Sequence, residues 1–333
     1  MFESYYGFSA APFQLSPDPA FFYASRGHKR AFSYLQYGLY QGEGFITLTG
    51  EVGAGKTTLI RNLLRQLDSS KVVAAQLVST QLDADGLLRA VATAFGLPVR
   101  EHAKARLIAE LEAFLTSLLP RGKRALLLVD EAQNLAPVAV EELRMLSNFQ
   151  IGNRALLQSF LIGQPELREL MRSSSMNQLR QRVIASYHLG PLDADETRAY
   201  IEHRLKQVGW KGDPRFEDSV FPIVHDYAGG IPRRINTLCT RALLAGLLSH
   251  SHVISAKSMQ EVIGEFSEEF GEAIANPPGE EDVVPVPANA DAMRVLERRL
   301  SGVEKAMNIT INLLRELIKN QPREESHLAK KQR

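Results

Sequence analysis

The stretch Phe45-Ile-Thr-Leu-Thr-Gly50-Glu-Val-Gly-Ala-Gly-Lys56-Thr57-Thr58 decides how the rest of the chain is read. It opens as a short apolar, β-rich run and then matches G-x-x-x-x-G-K-[ST] across Gly50 to Thr57, with a helical pattern following. Strand before and helix after is the context in which that spacing wraps a phosphate. Glycines let the backbone of Gly50, Glu51, Val52, Gly53, Ala54 and Gly55 approach an anion, and N–H groups at the start of the next helix, around Thr58, face it. Lys56 is placed to reach β- and γ-phosphates and Thr57 to ligate Mg²⁺, so the stretch predicts a site for ATP and Mg²⁺.

Downstream, Ala125-Leu-Leu-Leu-Val-Asp130-Glu131 is an apolar strand that ends in two acids. Asp130 suits the Mg²⁺ shell and Glu131 suits polarising an attacking water, which together make the second half of an ATP-hydrolysing site. An acid in that position can also simply cap the next helix. Around the two motifs, strand-like runs at 72–77, 125–129, 155–162 and 183–189 alternate with helical segments at 58–67, 83–95, 103–119 and 138–149. That alternation predicts an α/β fold with a parallel sheet over 28–192, its first helix running from His28 to the Gly42-Glu43-Gly44 breaker.

The segment 193–270 reads as helices only, at 193–208, 216–227, 232–248 and 255–270, a smaller helical domain after the sheet. Before the sheet, residues 1–27 are rich in proline and aromatics and read as an ordered arm without regular structure, pinned by Phe13, Phe21, Phe22 and Tyr23. After the helices, 271–290 has acidic, proline-rich linker composition. Met293, Leu296, Leu300, Val303, Met307, Thr310, Leu314 and Leu317 then alternate at spacings of three and four, which predicts a coiled-coil helix over 291–320 that pairs with another chain or docks on its own domain. A disordered tail, 321–333, is expected to follow.

Composition removes several classes. The 39 Lys and Arg nearly cancel the 38 Asp and Glu, so no overall field advertises nucleic acid or a cationic partner. The lone Cys239 excludes an intrachain disulfide and fits a reducing compartment, the cytoplasm by default. No run approaches the ~18 apolar residues that cross a bilayer, so any membrane association is expected to be peripheral, at the inner face. His28, His188, His203 and His225 lack zinc-ligand spacing, Tyr34, Tyr37 and Tyr40 read as helix packing, and Trp210 reads as a loop anchor.

The motif set resembles the AAA+ ATPases. The resemblance implies a P-loop AAA+ parallel sheet domain followed by a small all-α lid, and it implies three further roles. Gln164, ending Ser159-Phe-Leu-Ile-Gly-Gln164, takes the place of the sensor-1 polar residue, where many relatives have Asn. Gln178-Leu-Arg180-Gln-Arg182-Val looks like the arginine-finger segment that completes a neighbouring subunit's site, with Arg182 chosen over Arg180. Gly229-Gly-Ile-Pro-Arg233-Arg234 resembles the sensor-2 motif, with Arg233 chosen and Arg234 as the alternative.

A narrower likeness rests on Phe8, Pro12-Phe13, Leu15, Pro17-Asp18-Pro19 and Phe22 in the arm, Asp130-Glu-Ala-Gln-Asn134, Glu142 to Gln150, Gly163-Gln-Pro-Glu-Leu167 and Tyr200-Ile-Glu-His-Arg204. These look like the bacterial secretion-associated ATPases of the general secretion pathway A type, closest to the branch associated with exosortase and exopolysaccharide gene clusters. The secretion-pathway members typically continue into a transmembrane segment and a periplasmic domain, which favours the exosortase-associated branch for this chain. The resemblance implies a homo-oligomeric ATP-hydrolysing switch whose partner is an envelope or polysaccharide-export protein. The alternatives are a DNA-binding regulator similar to transposition helper ATPases and a nucleotide-gated scaffold without turnover.

Overall fold

A computed structural model describes residues 2–16, 18–78, 82–99, 104–173 and 176–270. The expected linker from 271, the coiled-coil helix at 291–320 and the tail at 321–333 lie outside the described residues. The chain begins with a short helix α1 (Phe2–Tyr6), passes a turn at Pro19–Phe21, and enters α2 (Arg26–Gln41), β1 (Phe45–Gly50) and α3 (Lys56–Gln66). It continues through β2 (Val72–Val78), α4 (Ala84–Ala94), α5 (Lys104–Leu118), β3 (Arg124–Asp130) and α6 (Pro137–Leu146). A small hairpin of β4 (Gln150–Ile151) and β5 (Arg154–Ala155) precedes β6 (Leu157–Gly163), α7 (Glu166–Arg172), α8 (Asn177–Arg180) and β7 (Val183–Leu189). The helical part comprises α9 (Ala194–Gln207), α10 (Val220–Ala228), α11 (Pro232–Leu248) and α12 (Ala256–Phe270), with the two-residue strands β8 (Arg215–Phe216) and β9 (Val253–Ile254) between them.

The five long strands form one parallel sheet in the order β2-β3-β6-β1-β7. β1 and β6 are buried throughout and β3 everywhere but its ends, whereas the edge strands β2 and β7 alternate between buried and open positions. This is what a sheet with both faces covered demands of its central strands. Along β3, Leu126 and Leu128 pack with Ile46, Leu48 and Phe160 beneath α2 and α3. The intervening Leu127 and Val129 pack beneath α4, α5 and α6 on the other face. Gly38 brings α2 tightly onto the sheet, since a Cβ there would overlap the Ile46 side chain. Buried Gln158 fastens the same corner by donating to the carbonyls of Gly38 (2.7 Å) and Glu43 (3.0 Å).

Three expectations are corrected. The arm is not free of regular structure: it carries α1 and the turn at Pro19–Phe21, capped by Asp18, and α2 starts at Arg26 because Ser25 caps it. The helical segment is not helix alone, because β8 pairs with β9 in parallel; α10 therefore starts at Val220. Tyr37 and Tyr40 are 53% and 84% exposed, so they do not pack into the core; the buried stripe of α2 is His28, Ala31, Leu35, Gly38 and Leu39. Buried Cys239 sits in the core of the helical part, and Trp210 anchors its loop by donating to the Pro214 carbonyl at 2.9 Å. That core also takes in Tyr6, Phe8 and Phe13, so the start of the arm is anchored to the helical part, while Phe22 packs on the sheet side with α2 and α3. Among the described residues no helix is long and apolar enough to cross a membrane.

Candidate nucleotide-binding site

The glycine loop leaves β1 at Gly50, where a Cβ would stand 2.5 Å from the Leu189 carbonyl oxygen on β7. It turns through Gly53 (φ +85°) and Gly55 (φ +101°), a region that favours glycine, and enters α3 at Lys56. The N–H groups of the first turn of α3 have no partners within the helix, which makes the loop mouth an anion site. Lys56 is 6% exposed and folds back on the loop, donating to the carbonyls of Gly50 (2.5 Å) and Glu51 (2.9 Å). Burial pushes its pKa below the ordinary lysine value, while Glu131, Asp130 and Glu51 oppose that shift. A phosphate offers Lys56 a better partner than two neutral carbonyls.

β3 delivers the two acids beside the loop. The Asp130 carboxylate accepts from the Thr57 hydroxyl at 3.5 Å and from the Glu131 N–H at 3.0 Å. Burial, with the neighbouring Glu131 charge, pushes the Asp130 carboxyl above its ordinary value, so a cation bound there would be stabilising. A hydroxyl and a carboxylate at this spacing are hard oxygen donors suited to Mg²⁺, which keeps most of its shell as waters and phosphate oxygens. Among the described residues no group of three or more acid, His or Cys side chains could cage a metal, so the fit is to a cation that arrives with phosphate.

Glu131 has φ +51° and ψ +40°, left-handed backbone that costs a non-glycine residue energy and aims its side chain across the sheet end. It occupies the cap position of the turn Ala132–Asn134, yet its side chain makes no capping hydrogen bond. Its carboxylate instead accepts from Gln133 Nε2 (2.6 Å) and Gln164 Nε2 (3.0 Å). Burial alone would raise its pKa, but those two amides and the Lys56 charge hold it below the ordinary range, so the group stays ionised. Gln133 also accepts from the Gln164 N–H at 3.0 Å, tying the end of β3 to the end of β6. Gln133 is the functional neighbour that spacing did not single out, because nothing in an acid-acid-x-Gln run says which way the amide turns.

The cleft above the loop has a volume of about 300 Å³. Its walls come from Val52, Gly53 and Gly55 to Thr58 of the loop, His28 on α2, Glu131 after β3, arm residues including Leu15, Phe21, Phe22 and Tyr23, and Leu192, Tyr200, Arg204, Arg233 and Asn236 from the helical side. Arg233 donates its backbone N–H to Gly53 O at 3.2 Å, and a Cβ on Gly53 would collide with the Arg233 side chain. Arg233 lines the cleft, whereas the Arg234 guanidinium turns towards Gly229.

Sequence reasoning did not assign a role to Arg204. It is 6% exposed and donates to the carbonyls of Pro12 (2.6 Å) and Gln14 (2.9 Å), with its guanidinium 4.7 Å from the Phe21 ring centroid. Arg204 thus staples the arm to α9, and Tyr200 beside it donates to Asn236 Oδ1 at 2.8 Å. Arg180 and Arg182 do not line this cleft. The Arg182 guanidinium donates to Ser147 Oγ at 2.7 Å beside a separate cavity of about 550 Å³, and Arg180 pairs with Asn177 Oδ1 at 2.5 Å.

Residues 39–171 match a family model described as an AAA domain. The chain is 42% identical over 255 residues to general secretion pathway protein A of Aeromonas hydrophila, a match that takes in 76% of this chain and 46% of that protein. The chain therefore spans about half the length of that curated relative. The ORC2 protein of Aeropyrum pernix, solved as ADPNP–ADP complexes, superposes with a TM-score of 0.58 at 18% identity, covering 78% of this chain and 72% of that one. CDC6P from Pyrobaculum aerophilum superposes with a TM-score of 0.57 at 16% identity, covering 83% and 74%. At such identities the likeness is one of fold, and the fold is the P-loop AAA architecture.

Proposed function

We propose that this chain, whose residues 39–171 carry an AAA domain, binds ATP with Mg²⁺, hydrolyses it, and serves as an oligomeric switch for an envelope secretion or exopolysaccharide-export apparatus. The observation that carries the hydrolytic part is the ionised Glu131 carboxylate, held by Gln133 and Gln164 beside Lys56, Thr57 and Asp130. A water there would meet a fixed acceptor aimed at the γ-phosphate. Lys56 trades its loop carbonyls for phosphate oxygens, and the loop amides with the start of α3 hold the rest of the chain of phosphates. Thr57 and Asp130 would hold Mg²⁺, which supplies neutralisation of the charge that builds on the transferred phosphoryl group.

In this reading Gln164 positions Glu131 and the water, Arg233 brings a cation from the helical lid, and Arg182 acts on the site of a neighbouring copy. The domain division follows: arm 1–27, ATPase core 28–192, lid 193–270, then linker, coil and tail. Identity to general secretion pathway protein A supports a secretion-type partner, and we assign the exosortase-associated branch on the arm and post-strand residues quoted above. The same reading puts the protein in the cytoplasm, at the inner face of the membrane. The DNA-regulator alternative rests on fold alone, which unrelated functions share, and is not carried forward.

Phosphate release by wild type, Glu131→Gln and Lys56→Ala tests the site. Glu131→Gln should keep ATP and lose about 10²-fold or more of turnover, while Lys56→Ala should lose most of its binding, because only Lys56 makes a ground-state phosphate contact. Equal loss of binding in both variants would overturn the assignment.

A further inference from the structure

The turn from α8 into β7 is pinned along its backbone. The Arg182 N–H donates to the Leu179 carbonyl at 2.9 Å, and the Arg182 carbonyl accepts from the Phe45 N–H at 2.9 Å, where β1 begins. Gly44 permits that approach, since a Cβ there would stand 2.6 Å from the Arg182 carbonyl oxygen. With the main chain fixed, only the long side chain remains to be placed, and an arginine has many rotamers to lose in being held. One contact does this: Arg182 Nη1 donates to Ser147 Oγ at 2.7 Å. Ser147 closes the C-terminus of α6, its N–H donating to the Leu143 carbonyl at 3.0 Å and its hydroxyl to the Arg144 carbonyl at 2.6 Å. The hydroxyl proton is thereby spent, and Oγ meets the guanidinium with lone pairs alone.

We propose that Ser147 is a positioning residue for hydrolysis in a neighbouring copy: by accepting from Arg182 it holds the guanidinium ready for the phosphates bound there. The choice of acceptor matters. A neutral oxygen orients a guanidinium without cancelling its charge, whereas a carboxylate would compete with phosphate for the same N–H groups. Among the described residues no carboxylate pairs with Arg182. The acid one turn before Ser147 on the same helix, Glu141, is itself taken by Arg144 through three hydrogen bonds of 2.6, 2.8 and 2.9 Å. A guanidinium carries five N–H donors, so one bond to Ser147 leaves donors to spare beside the cavity of about 550 Å³ that Arg182 and Ser147 both line.

This inference rests on reading Arg182 as acting in trans, and the test separates the two. Measure ATP turnover by the full chain for wild type, Arg182→Ala, Ser147→Ala and Ser147→Thr, each alone and mixed with Lys56→Ala protein. Ser147→Ala should lose about tenfold in kcat, with KM for ATP changed less than about twofold. Ser147→Thr keeps the acceptor and should stay within about threefold of wild type. Mixing Ser147→Ala with Lys56→Ala should restore turnover, because the second protein lends a well-held arginine to the intact sites of the first. Mixing Ser147→Ala with Arg182→Ala should add nothing to the two measured apart. Wild type without turnover, or Arg182→Ala as active as wild type, sinks the reading of the site and of Arg182. A deficient Arg182→Ala beside an unaffected Ser147→Ala, or a Ser147→Ala loss that Lys56→Ala protein does not relieve, sinks only the positioning role. Should Ser147→Ala not fold, the pair Ser147→Val and Ser147→Thr, alike in shape, carries the test, and equal turnover in those two overturns the proposal.

Discussion

The two walls of the cleft are built by opposite means. The phosphate wall is one continuous loop, Gly50 to Thr57, whose shape follows from glycines and the start of α3, with only the tips of β3 and β6 added. The opposite wall joins the arm to helices nearly 200 residues later, and one buried cation, Arg204, holds the junction. In the proposed reading the first wall keeps its side chains for a ligand, since Lys56 and Glu131 hold loop-carbonyl and amide partners that a nucleotide would replace or use. The second wall, Arg233 apart, spends its polar groups on itself. Damage to the first should therefore appear as lost chemistry, and damage to the second as lost stability.

The largest effect would come from a third wall supplied by another copy. Arg182→Ala should keep its fold and nucleotide binding but lose about 10³-fold in hydrolysis. Mixing it with Lys56→Ala protein should restore part of the activity through composite sites. No rescue at any mixing ratio, with mixed oligomers verified, would return Arg182 to a purely local role on Ser147.

Next comes the staple. Arg204→Ala leaves the Pro12 and Gln14 carbonyls without their charged donor and the Phe21 ring without its cation, and should cost about 3 kcal/mol in urea unfolding. Lys56→Ala should cost almost nothing in the same experiment, because a buried lysine whose charge meets only two neutral carbonyls stabilises little. If both variants unfold alike, the division between the walls fails.

Gly53→Ala probes a place where the walls touch. Its Cβ would collide with Arg233 at a positive φ, so it should destabilise by about 1–2 kcal/mol and weaken nucleotide binding together. Binding lost without any change in stability would mean that the lid and the loop are not in register there.

The smallest effect is with pH. Burial lowers the pKa of His28 and of His203, so the unfolded chain takes up their protons first. Stability is then complete above the ordinary histidine pKa and is lost as pH falls through the folded values, a drop of a few degrees in Tm between neutral and mildly acid solution. The double variant His28→Gln, His203→Gln should flatten that slope; an unchanged slope would assign the acid sensitivity to the carboxylates.

Much of the sheet was legible because its signals are local. The apolar runs at 72–77 and 183–189 differ from the observed strands by one residue at most, since buried parallel strands must be apolar on both faces. The strand expected at 155–162 starts instead at Leu157, because Gln150–Ala155 closes a small hairpin first. Tyr37 and Tyr40 read as helix packing because three-residue spacing does not say which side of a helix meets the sheet.

The phosphate loop, its lysine and threonine, and the two acids ending an apolar strand were determined by the sequence itself, because backbone geometry over a few consecutive residues sets where those groups point. Which glutamine amides hold Glu131, that Arg233 rather than Arg234 meets Gly53, and that Arg204 fastens the arm were decided only by the tertiary structure. Those contacts join strand ends and helices far apart in the chain, and their pairing follows from how the sheet and the helices pack, which no local spacing encodes.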